Sequence, residues 1–353
     1  MKKLFLSMVA VMIATMSYAQ SSIMATLRHG DEISTFYGAT ALKEAHTAAV
    51  HGDVITLSSG TFQAVDITKA VTIRGAGMQA NVVAKIYPTN IDGDFAINVA
   101  DNLEQRLTIE GIYCDNTVSV YNTLKNATFI KSRFKTFTSI NNEEDGYGYM
   151  VNLAFIHCKI ASSFINSKNG NSVSFVNSVI MNPVVGNSDY NFEFTNCVVS
   201  WANRYPYNSS YYAIYRNCIL YSKADTSIYG SGDSQYTFLP NTNLIYNCLG
   251  ICWNNNLFRE FNSMGGSMFY SIKDVSVVFK TWKGVYSDTE NFELKDDAKT
   301  TYLGDDSMEL GIYGGNLPFS PKPANPKITK FNVASKSTAD GNLSVDIEVK
   351  TAE

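Results

Sequence analysis

Charge is scarce in this 353-residue chain: Asp, Glu, Lys and Arg together make 17%, below the quarter usual in soluble proteins. With 28 basic against 32 acidic side chains there is no positive surplus, which excludes the ordinary nucleic-acid binder. Six cysteines at this length are too few for a disulfide scaffold. The four histidines, His29, His46, His51 and His157, share no zinc-ligand spacing with cysteine. Beyond the first twenty residues no apolar run reaches the length of a transmembrane helix. Hydrophobic residues nevertheless make 45% of the chain, ample for a large core, so wholesale disorder is excluded too.

The sequence is rich in aromatic and amide side chains, with 21 Tyr, 20 Phe and 33 Asn. Its start has the layout of a secretory signal peptide: Lys2 and Lys3, an apolar run over residues 4–16, then Ser17-Tyr18-Ala19. Residues 1–19 are therefore expected to be removed. That loses two lysines and leaves 26 basic against 32 acidic residues, a net charge of −6. The expected product is a soluble protein in the periplasm, at the cell surface or outside the cell.

A short phrase then recurs. It reads Phe129-Ile130-Lys131-Ser132, Phe155-Ile156-His157-Cys158, Phe175-Val176-Asn177-Ser178, Phe194-Thr195-Asn196-Cys197, Tyr215-Arg216-Asn217-Cys218 and Ile245-Tyr246-Asn247-Cys248. The leading residues are 26, 20, 19, 21 and 30 positions apart, and Ile109-Glu110-Gly111-Ile112 is a weaker copy upstream. Around each copy the pattern alternates with the period of a strand, breaks phase at the third position and restarts. Asn suits such a break because it tolerates the left-handed backbone region. Short strands bent at fixed places make one coil of a parallel β-solenoid, and coils must stack to cover their apolar faces.

Stacking in register makes columns. Phe155, Phe175, Phe194 and Tyr215 are predicted to form an internal aromatic column. Asn177, Asn196, Asn217 and Asn247 are predicted to form a ladder of mutually hydrogen-bonded amides. Ser132, Cys158, Ser178, Cys197, Cys218 and Cys248 form a column of small residues, in which Cys197 and Cys218 either pair as a disulfide or stay free and buried. Val179, Val198, Ile219 and Leu249 fall outward on consecutive coils, beside Ile130, Ile156 and Val176. So long an apolar stripe is expected to be covered by the C-terminal tail or by another subunit.

The open end of the stack also needs a cover. Residues 39–50 read as a helix with Leu42, Ala45 and Ala49 on one face and Gly52 as its stop. Then come His51-Gly52-Asp53-Val54-Ile55-Thr56-Leu57 and Ile67-Thr68-Lys69-Ala70-Val71-Thr72-Ile73-Arg74-Gly75-Ala76-Gly77. This succession resembles the opening of the right-handed parallel β-helix (pectin-lyase-like) superfamily, in which a capping helix leads into the first coil. Phe292-Glu293-Leu294-Lys295 and Glu309-Leu310-Gly311-Ile312-Tyr313-Gly314-Gly315 resemble its closing phrase. Leu317-Pro318-Phe319 is similar to a version common in secreted proteins of Bacteroidetes. The resemblance spans about residues 35–320 and implies an all-β fold, a right-handed parallel β-helix. It implies little about activity, since lyases, hydrolases, esterases and non-catalytic binders share that fold. After a spacer at Pro321, Pro323 and Pro326, residues 328–333 and 343–349 read as two strands around Asp340-Gly341-Asn342. The organisation read from sequence is thus residues 1–19 signal, 20–320 β-helix and 321–353 spacer and β tail.

The motifs of the pectin-cleaving hydrolases of that superfamily are missing here. The adjacent acids Glu143-Glu144-Asp145, Asp296-Asp297 and Asp305-Asp306 do not form the facing pair that a glycosidase needs. A lyase needs a base and positive charge beside the acidic sugar. The candidates are Lys131, Arg133 and Lys135 on one coil and Lys159 on the next, which equally suit binding of an anionic polymer. His157 occupies the bend position held by Asn in later coils. No cofactor motif is present, and a Ca²⁺ site around Asp92 and Asp94 has no motif behind it. The densest aromatic stretch holds Trp201, Tyr205, Tyr207, Tyr211 and Tyr212, flat rings with polar edges that suit sugars, with Asp189 and Glu193 nearby. The sequence thus reads as a secreted binder of polysaccharide or surface polymer. The alternatives are a lyase or hydrolase acting on uronic glycans, and an adhesion or structural protein with a protein partner.

Overall fold

A computed structural model describes residues 23–80, 87–100, 104–142, 146–147, 149–166, 172–186, 192–201, 213–222, 243–252, 269–272, 274–322, 327–333, 340–342 and 344–350. It is mostly β, 47% strand against 8% helix, with large parallel sheets. One sheet has eleven strands and the other thirteen. Residues 1–19, read from sequence as a signal peptide, lie outside the described residues.

The phrase behaves as its phase predicts. Its first two residues lie in the eleven-stranded sheet, where Thr128–Ile130, Leu153–Ile156, Val173–Val176, Phe192–Thr195, Ala213–Arg216 and Leu244–Tyr246 pair in parallel. Phe129, Phe155, Phe175, Phe194 and Tyr215 stack inside with centroids 4.6–4.9 Å apart and planes 5–13° apart. That spacing is the strand spacing, so register alone aligns the rings. The third residue has positive φ in every copy: Gly111 68°, Lys131 47°, His157 55°, Asn177 44°, Asn196 52°, Asn217 54° and Asn247 46°. This left-handed step turns the chain into the thirteen-stranded sheet while its N–H still bonds the next coil, as from Asn177 to Thr195 O at 3.0 Å.

The fourth position is small because its oxygen or sulfur works on both sides. Ser178 Oγ accepts from Cys158 N–H at 2.9 Å and donates to Val176 O at 2.8 Å. Cys218 Sγ accepts from Cys197 N–H at 3.4 Å and lies 3.2 Å from Arg216 O, the same geometry in sulfur. Cys114, Cys158, Cys197, Cys218 and Cys248 are free and buried, so no disulfide joins Cys197 to Cys218.

At the other end of the sheet, Met24–His29 and Glu32–Tyr37 form an antiparallel hairpin, and the first strand pairs with Val54–Leu57. The helix runs Ala41–Ala48, two residues shorter than expected at each end, and Leu42, Ala45 and Ala49 join the core. Lys69 Nζ donates to the carbonyls of His46 and Thr47 at 2.8 Å, satisfying its last turn. Residues 327–333 and 345–350 form a separate antiparallel pair, as the tail pattern predicts. Among the described residues, no helix is long and apolar enough to cross a membrane.

Candidate functional site

The two large sheets each present a long outer surface, and the chain treats them differently. On the thirteen-stranded sheet the outward stripe of Val179, Val198, Ile219 and Leu249 is completely buried. Among the described residues, its cover comes from a segment ahead of the tail. Residues 275–319 supply it through Val275, Val278, Phe279, Trp282, Leu310 and Ile312, among others, in a second hydrophobic cluster. From sequence this segment falls within the β-helix of residues 20–320, on the strength of its closing phrase; in the structure it lies across the outside of the coils instead.

The same segment uses the bend column as a track. Asn217 Nδ2 donates to Asp305 Oδ1 at 2.7 Å. Asn177 Nδ2 donates to the carbonyls of Ile312 at 2.9 Å and Gly314 at 2.8 Å. His157 Nε2–H donates to Leu317 O at 2.9 Å, with Nδ1 buried and unpartnered. The expected ladder of Asn177, Asn196, Asn217 and Asn247 is therefore a column in position, but the amides of Asn177 and Asn217 bond the strap that crosses it. A left-handed residue aims its side chain outward at the corner, where the Asp305 carboxylate and the main-chain carbonyls of Ile312, Gly314 and Leu317 meet it. Amide-to-amide bonds of the expected kind occur instead at another corner, where Asn152 donates to Asn126 at 2.7 Å and Asn122 to Asn98.

The cationic candidates lie at the rim of this covered surface. Lys159 is 1% exposed, and its Nζ donates to Glu290 O at 2.7 Å. Burial, and next the Arg133 charge, lower its pKa to about 8, against the pull of Asp288 and Glu290. Arg133 stacks 3.5 Å over the Tyr113 ring, with its guanidinium 3.7 Å from Asp288. Burial pushes the Tyr113 hydroxyl up to about 12. Both cations thus hold residues 288–290 and are largely buried, which corrects the view of Arg133 and Lys159 as accessible bases. Lys131 occupies the bend position, half-buried.

Trp201 is 1% exposed and meets Tyr215 edge to face at 6.3 Å. It is core, not platform: inward Cys197 and Val199 fix a phase that puts Trp201 inward as well. Glu193 is exposed on the outer face of the eleven-stranded sheet. Tyr205, Tyr207, Tyr211, Tyr212 and Asp189 lie outside the described residues. Among the described residues, no group of three or more His, Cys, Asp or Glu could hold a metal ion.

That leaves the outer face of the eleven-stranded sheet, where Ile130, Ile156, Val176 and Glu193 fall, on a different sheet from Val179 and Val198. Thr72, Thr108, Thr128, Ala154, Ser174, Glu193 and Ile214 make one outward row. Ile130, Ile156, Val176, Thr195, Arg216 and Tyr246 make the next. Most are half-buried, and Arg216 lies 4.7 Å over the Tyr246 ring and 3.4 Å from Asp305. In register with Ile130, the second row continues through Glu110 and Arg74, which are 3.8 Å apart. The strip thus carries hydroxyl and aliphatic groups on its middle strands, with Arg74 and Glu110 to one side and Glu193 and Arg216 to the other. No protein family, characterised protein or solved structure matches this chain.

Proposed function

We propose that this chain is an exported, non-catalytic, right-handed parallel β-helix of the pectin-lyase-like kind, closed by the Ala41–Ala48 helix, that binds a linear polysaccharide or surface polymer. The supporting observation is the contrast between its two outer faces. The apolar face is covered by residues 275–319, while the face of the eleven-stranded sheet keeps rows of hydroxyl and short apolar side chains half-exposed. Nine parallel strands at about 4.8 Å give a strip roughly 40 Å long. Hydroxyl rows beside aliphatic rows offer hydrogen bonds and C–H contacts in a repeating order, which fits an extended chain of sugars lying along the stack. Arg133 and Lys159 being engaged by residues 288–290 favours binding over lyase chemistry at those side chains.

A glycan array with the purified protein tests this reading, followed by Thr128→Lys and Glu193→Lys, which place bulk or charge on the strip. The expected outcome is binding to a linear glycan that falls at least tenfold in both variants while circular dichroism is unchanged. Binding that ignores both substitutions, or no binding to any glycan, would overturn it.

A further inference from the structure

The eleven-stranded sheet ends, on its N-terminal side, at Glu32–Tyr37. Which main-chain groups of this strand point away from the sheet follows from two bonds. Ser58 N–H donates to Met24 O at 3.0 Å, so Met24, Thr26 and Arg28 face Val54–Leu57. Gly38 N–H donates to Ile23 O at 2.8 Å, so Glu32, Ser34 and Phe36 face the first strand of the hairpin. Ile33, Thr35 and Tyr37 therefore turn their N–H and C=O groups outward, where no described strand pairs with them.

Edges of this kind are usually blunted by Pro, Lys or a bulge. Glu32–Tyr37 has none of these, and its register is unbroken. Ile33 is 69% exposed and Tyr37 46%, both on the face shared with Thr35.

We propose that this edge pairs with the same edge of a second copy, antiparallel about a two-fold axis through Thr35. A two-fold perpendicular to the sheet brings residues of one face opposite each other, so the paired numbers must sum to an even value. Centred on Thr35, the pairing sets Thr35 against Thr35 and Ile33 against Tyr37 twice. All three pairs use outward-facing main chain, so each exchanges two hydrogen bonds and the edge is satisfied. Ile beside Tyr and Thr beside Thr are favourable cross-strand neighbours. The charges agree as well. Asp31 and Glu32 fall opposite Ala39 and Gly38, so the acidic ends avoid each other. The second copy's Glu32 then lies on the side of the open pocket lined by Phe36, Thr40 and Lys43. The contact is narrow, so the dimer is weak, with Kd on the order of 10–1000 µM.

Sedimentation of the purified chain over a concentration series tests this, together with Thr35→Pro, which removes an outward N–H, and Ile33→Lys, which adds a gatekeeping charge at an exposed site. The expected result is a mass that doubles with concentration in the parent and stays monomeric in both variants. Thr35→Cys sets two thiols on the axis within disulfide reach and oxidises to a covalent dimer, whereas Ser34→Cys, opposite Phe36, does not. A parent that is monomeric to about 1 mM, where such an edge must associate, overturns the proposal. So does a dimer that survives Ile33→Lys, or Ser34→Cys cross-linking as fast as Thr35→Cys. Amides of Ile33, Thr35 and Tyr37 protected from exchange at every concentration would show that another segment of the chain occupies the edge, and would also overturn it.

Discussion

Asn217 and Asp305, 88 positions apart in sequence, hold each other by two hydrogen bonds: Asn217 Nδ2 donates to Asp305 Oδ1 at 2.7 Å, and Asp305 N–H donates to Asn217 Oδ1 at 3.2 Å. One side chain thus ties a bend of the coil to the strap that covers the apolar stripe. The same residue has φ 54°, so its backbone and its amide are separately useful. Substitutions separate the two roles. Asn217→Gly keeps the bend and loses the bonds, and is expected to cost about 1–3 kcal/mol. Asn217→Ala adds the left-handed penalty of about 1–2 kcal/mol. Urea denaturation of both variants, with proteolysis near residue 305 as the local readout, checks the order Gly before Ala.

The strap fits closely where it crosses Asn196. Gly315 has φ 71°, and a Cβ there would collide with Asn196 Nδ2. Gly315→Ala is therefore expected to lose about 2 kcal/mol or more and to raise binding of a hydrophobic dye, as the Val198 stripe opens. A variant as stable as the parent would contradict the close approach.

Phe175 lies mid-column, 4.9 Å from Phe155 and 4.6 Å from Phe194, with no exposed surface. Phe175→Ala is expected to cost about 3–5 kcal/mol. Phe175→Leu, which refills much of the space, should recover over half of that in the same melt.

Acid should loosen the N-terminal end first. His46 is buried, and its Nε2 accepts from Thr68 N–H at 3.3 Å, which requires the neutral ring. Burial, and then Lys69, lower its pKa to about 4 from 6.5, against Asp66. Because the unfolded chain takes this proton more readily than the folded one, stability is full above about pH 6.5 and declines between 6.5 and 4. The loss is at most about 2 kcal/mol once solvent screening is allowed for. Burial lowers His157 in the same direction. His46→Gln keeps an acceptor without a proton to gain, so its stability should vary less across that range in a pH series of urea melts.

The columns were legible because a left-handed step every twenty or so residues leaves a mark that no helix or sandwich makes. Asn177, Asn196 and Asn217 announced their own backbone. What could not be read was the partner of their side chains. The carbonyls of Ile312 and Gly314 that meet Asn177 carry no residue-specific signal, Asp305 lies 88 positions from Asn217, and a segment that packs by irregular turns has no period. Trp201 was misplaced for a different reason: its aromatic neighbours in sequence outweighed a phase that Val199 had already fixed. Glu32–Tyr37 escaped notice because an edge is a property of the whole sheet, and no residue within it spells that out.

The thiol column also makes unfolding chemically visible. Burial raises the Cys158 thiol to about 12 and keeps Cys218 and Cys248 well above their ordinary range. Such groups carry almost no thiolate at neutral pH, and reagents cannot reach them while the coils are stacked. Labelling of Cys158, Cys197, Cys218 and Cys248 by an alkylating agent, followed by peptide mass analysis, would then count coil-by-coil opening. Fraying from one end would appear as an order among the four sites, and all-or-none opening as their simultaneous appearance.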